Sequence, residues 1–75
     1  MAKAFVLIET AVGKTKEVVA EISNAAGINE VHTVTGPYDI IAVIEKETLS
    51  DIGDLVTTKI HGTKGVARTV TCLVV

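Results

Sequence analysis

Seventy-five residues with a formal net charge of −2 make one small domain, with no room for a second core. Seven Lys and Arg residues are scattered from Lys3 to Arg68, and the only aromatic residues are Phe5 and Tyr38. Phosphate binding needs clustered cations and base binding needs stacking rings, so this composition argues against a nucleic-acid partner. Taken in chain order, Ala4 to Ile8 is a short apolar run with no helical period, which predicts a strand. It is too short for a membrane span or a signal core, so a cytoplasmic location is expected. Gly13 breaks the pattern. From Lys14 to Ala26, Val18, Val19, Ile22, Ala25 and Ala26 mark one face of a helix, with Glu17 and Glu21 on its wet side. Gly27 is placed to end it. Ile28 to Thr35 alternates around β-branched residues and predicts a half-exposed strand.

Gly36-Pro37-Tyr38-Asp39 predicts a turn, and Ile40 to Ile44 is a second wholly apolar strand. Thr48 with Asp51 three residues on gives a capping-box-like start to a second helix. Its buried stripe is Leu49, Ile52, Leu55, Val56 and Ile60. Gly62 and Gly65 lead into a last strand from Val66 to Val75. The order is a repeated β-α-β, which predicts a ferredoxin-like βαββαβ sandwich, an α+β fold with both helices on one face of a four-stranded sheet in the order 4-1-3-2. The two most apolar strands, first and third, are expected as parallel neighbours at its centre. Both alternating sets of those strands are apolar, so the face without helices would leave a large patch in water unless another copy covers it. With 48% hydrophobic residues in so short a chain, self-association is expected.

The chemistry-bearing residues are few. Gly13-Lys14-Thr15 has Ile8 where a phosphate-binding loop needs its first glycine. His32, His61 and the single Cys72 have no metal-ligand spacing, so neither metal nor cofactor is expected, and one cysteine excludes an internal disulfide. Cys72 lies within an apolar strand, where a thiol is dulled rather than activated. No second catalytic group converges on any of these, so an enzyme is not expected; the alternative, a small dimeric α/β enzyme, would have to recruit His32 or Tyr38 inside a cleft. The turn holding Tyr38 and Asp39 stands out instead. A carboxylate opening the most apolar strand needs a partner.

On these residues the chain resembles a known family, the ligand-binding domain (RAM domain) of the Lrp/AsnC class of amino-acid-responsive regulators. The resemblance rests on Ala4-Phe5-Val6-Leu7-Ile8, Gly13-Lys14, Thr35-Gly36-Pro37-Tyr38-Asp39-Ile40 and Gly65-Val66-Ala67-Arg68-Thr69-Val70-Thr71, and covers nearly the whole chain. It implies a βαββαβ fold that forms a homodimer through its sheet face and assembles further into an octamer or similar ring. It also implies an amino-acid effector bound between dimers, at Gly36, Tyr38 and Asp39 of one subunit and at Thr69, Thr71 and Cys72. Full-length regulators of this class carry a DNA-binding helix-turn-helix, whereas here Met1 leads directly into the first strand. The expectation is therefore a single domain over residues 1–75: a regulatory module without direct nucleic-acid contact, or a structural partner of a full-length regulator. A related amino-acid-binding domain, the ACT type, would place its ligand at the Gly13 turn instead.

Overall fold

The computed structural model describes all 75 residues, in the order β1 (Ala2–Thr10), α1 (Thr15–Ser23), β2 (Glu30–Thr33), β3 (Ile40–Lys46), α2 (Leu49–Leu55) and β4 (Val66–Leu73). The four strands form one sheet in the order β2-β3-β1-β4. This is the predicted ferredoxin-like arrangement, with one correction. β1 and β3 are central neighbours but run antiparallel, from Ala2 opposite Lys46 to Ile8 opposite Ile40. The turn at Gly36–Asp39 makes β2 and β3 an antiparallel hairpin, and the helical crossover leaves β1 and β2 pointing the same way. The strand inserted between them must therefore oppose both.

The strand pleat sorts the apolar residues into two sets. Ala4, Val6 and Ile8 of β1 and Ile40, Ala42 and Ile44 of β3 are fully buried on the helix side. They pack with Val18 and Ile22 of α1 and with Ile52, Leu55, Val56 and Ile60 of the second helical segment. The predicted stripes hold at Val18, Ile22, Ile52, Leu55, Val56 and Ile60, while Leu49 and Ala26 are exposed and Val19 and Ala25 only half-buried.

Helix ends follow local chemistry. The Thr48 hydroxyl accepts from the Asp51 amide at 3.1 Å, which caps α2. Lys14 precedes α1 without capping it, and its ammonium lies 3.5 Å from Glu17, which offsets a cation at the positive end of the helix. The helix stops at Ser23, before the predicted Ala26. The second helix does not continue as α-helix to Ile60. Val56–Ile60 is a π-helical turn, closed by the His61 amide donating to the Val56 carbonyl at 2.9 Å. Val56 and Ile60 are both buried in this turn.

Candidate functional site

The predicted turn closes the β2–β3 hairpin. Gly36 has φ +128°, in the region open chiefly to glycine, and a side chain there would meet nothing within 4 Å. The requirement is thus for backbone conformation rather than space. The Val34 amide donates to the Asp39 carbonyl at 2.9 Å across the turn.

Asp39 is tied to the end of β1. Its amide donates to the Ile8 carbonyl at 2.9 Å, while its Oδ2 accepts from the Thr10 amide at 2.9 Å and the Thr10 hydroxyl at 3.1 Å. Thr10 follows a register shift in the β1–β4 ladder, so its amide is free to meet a side chain. The Thr10 hydroxyl gives its proton to Asp39, so the Thr15 hydroxyl, 2.7 Å away, must donate to Thr10. A single chain of hydrogen bonds thereby joins the start of α1, the end of β1 and the turn. The partner that a carboxylate at the head of β3 needs is Thr10, a neutral one. Lys14 pairs with Glu17, and Glu30 hydrogen-bonds His32, so no cation lies within ion-pair distance of the Asp39 carboxylate.

Tyr38 points along the other side of the sheet. Its hydroxyl accepts from Arg68 Nη2 at 2.9 Å, and the guanidinium carbon lies 5.6 Å from the ring centroid. Beside it, Leu7, Val34, Thr35, Pro37, Tyr38 and Ile41 line an open, largely apolar recess.

The three β4 residues expected at the site are not together on one side. Thr71 lies opposite Val6 and Thr69 opposite Ile8, which puts both on the helix side of the sheet; Cys72 lies opposite Phe5 on the open side. The Thr69 hydroxyl is 2.7 Å from His61 Nε2, linking β4 to the end of the second helix. Cys72 is exposed and free. Two residues of the site, Thr10 and Arg68, carry no signal in the sequence that singles them out. Arg68 does stand in the recognised closing motif, and its alternation with Val70 and Cys72 places it on the open face.

The chain matches the family model described as the Lrp/AsnC ligand binding domain over residues 3–75. It is similar to an uncharacterized HTH-type transcriptional regulator of Pyrococcus furiosus, with 39% identity over 56 residues, covering 75% of this chain and 37% of that regulator. The chain thus spans well under half the length of that curated relative. A solved structure from Thermus thermophilus is 35% identical with a TM-score of 0.94, over all of this chain and 94% of the other. The crystal structure of a transcriptional regulator from Neisseria meningitidis in complex with L-Met shares the fold at a TM-score of 0.86 and 14% identity, over 99% of this chain and 49% of that one. Matched from its third residue to its last, this chain belongs to the Lrp/AsnC ligand-binding domain family.

Proposed function

We propose that this chain is an oligomeric effector-binding module that takes an amino acid at the Gly36–Asp39 turn and transmits its presence through assembly. The observation that carries this reading is the state of Asp39. Its carboxylate is oriented by Thr10 through one oxygen, its other oxygen makes no hydrogen bond within the chain, and no cation neutralises it. A ligand ammonium supplies the missing charge, and hydrogen bonds to charged groups are worth about 1.5–3 kcal/mol each. That turn is where the family resemblance puts the effector, and the Neisseria meningitidis regulator of the same fold is described with L-Met. Gly36 and Tyr38 complete the turn side of the site. Thr71, whose hydroxyl makes no side-chain hydrogen bond, and Cys72 and Thr69 are its β4 candidates.

The open sheet face supports a homodimer. Phe5 and Val70 are each 38% exposed on it, with Leu7 half-buried beside Val70 and Ile41 half-buried across β1 from it. If the pocket forms at a seam between subunits, ligand binding favours the assembled state by mass action. An octamer or similar ring is the assembly that follows from the family resemblance.

Calorimetry against the twenty L-amino acids tests the sensor: at least one should bind, and Asp39→Asn, which keeps the shape but removes the charge, should abolish that heat. Binding by none of the twenty removes the sensor reading. A second reading is favoured by the helix-turn-helix relative, whose matching part is this domain. In it, the same sheet face pairs with the corresponding domain of a full-length regulator, and native mass spectrometry of the mixture should show hetero-oligomers.

A further inference from the structure

Asp39 holds more than its own turn. Its Oδ2 takes both the amide and the hydroxyl proton of Thr10, and the Thr10 oxygen takes the hydroxyl proton of Thr15, the first residue of α1. A carboxylate can only accept, so the acid sets the direction of the whole chain of bonds, and each link polarises the next. The β1–α1 connection has few other ties. Lys14 stands at the cap position of α1 with no side-chain cap bond, and Gly13 before it has φ +77° with open space around it. Val12 is fully exposed. Lys14 and Lys16 bring two cations to the end of the helix that disfavours them, and the exposed Glu17 offsets only one of them directly. Backbone bonds run from the Ala11 amide to the Gly65 carbonyl at 2.8 Å and from the Lys14 amide to the Ala11 carbonyl at 3.0 Å. By contrast, α2 starts on Thr48, a cap supplied by its own stretch of sequence.

We infer that Asp39 is a latch on the entry to α1: its charged carboxylate, acting through Thr10 and Thr15, sets how firmly the first turns of that helix are held. The latch is a property of the free chain and holds whether or not the turn binds an amino acid. It gives the turn an outlet. Asp39 lies at the head of β3, whereas α1 belongs to the layer that covers one side of the sheet. A change at the carboxylate is therefore passed into the helical layer and away from the open face. The second oxygen of Asp39 makes no hydrogen bond within the chain, so the latch can be engaged from outside without breaking its link to Thr10.

Native-state hydrogen exchange on the full chain tests this without any ligand, because it reads the opening of one element apart from unfolding of the whole. The amides of Val18 to Ala20 report α1, and those of Ile52 to Leu55 report α2. Thr15→Val keeps the shape and helix propensity of the residue and cuts only the last link. It should speed exchange at Val18 to Ala20 about fivefold relative to Ile52 to Leu55, the fold-change equivalent to one ordinary hydrogen bond. Asp39→Asn keeps an acceptor but removes the charge, and should speed the same α1 amides by a smaller factor. Added to Thr15→Val, it should change α1 no further, since the link is already cut. Acceleration that is absent from α1, or equal in α1 and α2, overturns the inference, because these residues would then serve the fold as a whole. Additive effects in the double variant overturn it too, since Asp39 would then act on α1 by some other route. Should Asp39→Asn not fold, Thr15→Val and Thr10→Val must each accelerate α1 selectively, and failure of either is equally decisive.

Discussion

The two faces of the sheet are built from the same kinds of residue and have met different fates. On β1, Ala4, Val6 and Ile8 are fully buried while Phe5, between two of them, is 38% exposed and Leu7 is half-buried. On β3, Ile40, Ala42 and Ile44 are fully buried while Ile41 is not. Hydrophobicity does not distinguish the sets. What distinguishes them is the layer of α1, α2 and the π-helical turn, which covers one side only. The helix side is finished within one chain over β1 and β3, though not over β4, where Leu73 is 46% exposed, and the open side of β1 and β3 is an apolar strip with the exposure of an interface. Val43 is the exception on the open side, since it is already 5% exposed in a single copy. The part of the open face that one chain leaves incomplete therefore runs over Ile41 of β3 and over β1 and β4.

Truncating neighbours on the two faces gives the sharpest contrast. Ile8→Ala on the helix side should cost about 2–5 kcal/mol in chemical denaturation, by lost transfer energy and a cavity among rigid neighbours. Leu7→Ala, one residue away, should cost clearly less at protein concentrations low enough to keep the chain monomeric. Equal losses would mean that the open face is as well packed within one chain as the core. The next largest effect is on assembly. Phe5→Lys puts a charge in the middle of the open face and should leave the circular-dichroism spectrum of the fold intact while light scattering reports a shift to monomer. An unmodified protein that is itself monomeric at micromolar concentration would break the comparison outright.

Most of the architecture is legible in the sequence, and the part that is not has a common cause. Apolar alternation in Ala4–Ile8 and Ile40–Ile44, the Val18–Ile22 stripe and the Gly36–Asp39 turn are enough for the elements, the layers and the strand order. Alternation says which residues share a face but not which way a strand runs; taking the link from the first strand to the third as a crossover leads to parallel β1 and β3, whereas the hairpin sets the true direction. The site is half legible. The residue types of the turn point to Tyr38 and Asp39, but their partners lie far off in the chain: Thr10 is 29 residues from Asp39, and Arg68 is 30 from Tyr38. Those partners are set by register, and the register shift beside Thr10 leaves no trace in local pattern. Thr69, Thr71 and Cys72 are close in sequence, but a pleated strand splits them between two faces.

Thr10→Val tests the turn end of the molecule in the same spirit. It removes the hydroxyl that gives a proton to Asp39 and takes one from Thr15, but keeps the backbone amide bond and the side-chain volume. The expected stability loss is about 1 kcal/mol, the net worth of an ordinary hydrogen bond, with at most modest further loss because Asp39 is only part-buried. Amino-acid affinity should fall as well, since the carboxylate loses one of the two donors that aim it. A variant that loses stability and keeps full affinity would show that Thr10 serves the fold and not the site.

The smallest expected effect is at Glu30 and His32, and it depends on which account of the open face is right. The two side chains pair at 2.9 Å on β2, opposite Val43 and Ile41, and are each more than half exposed in a single copy. An exposed pair of this kind contributes about 0–1 kcal/mol and is screened by salt, so Glu30→Gln should be close to silent in a dilute, monomeric sample. If a second copy covers this face, the pair leaves water in the assembly. Removing one partner then strands the other in a drier setting, where an unpaired polar group costs more than its bond was worth. The loss from Glu30→Gln should then grow with protein concentration across the range where the oligomer forms, while the loss from Ile8→Ala, already dry in one chain, stays nearly constant. Melting curves at several concentrations separate the two. A flat response from Glu30→Gln in a sample known to be oligomeric would place the contact elsewhere than over β2.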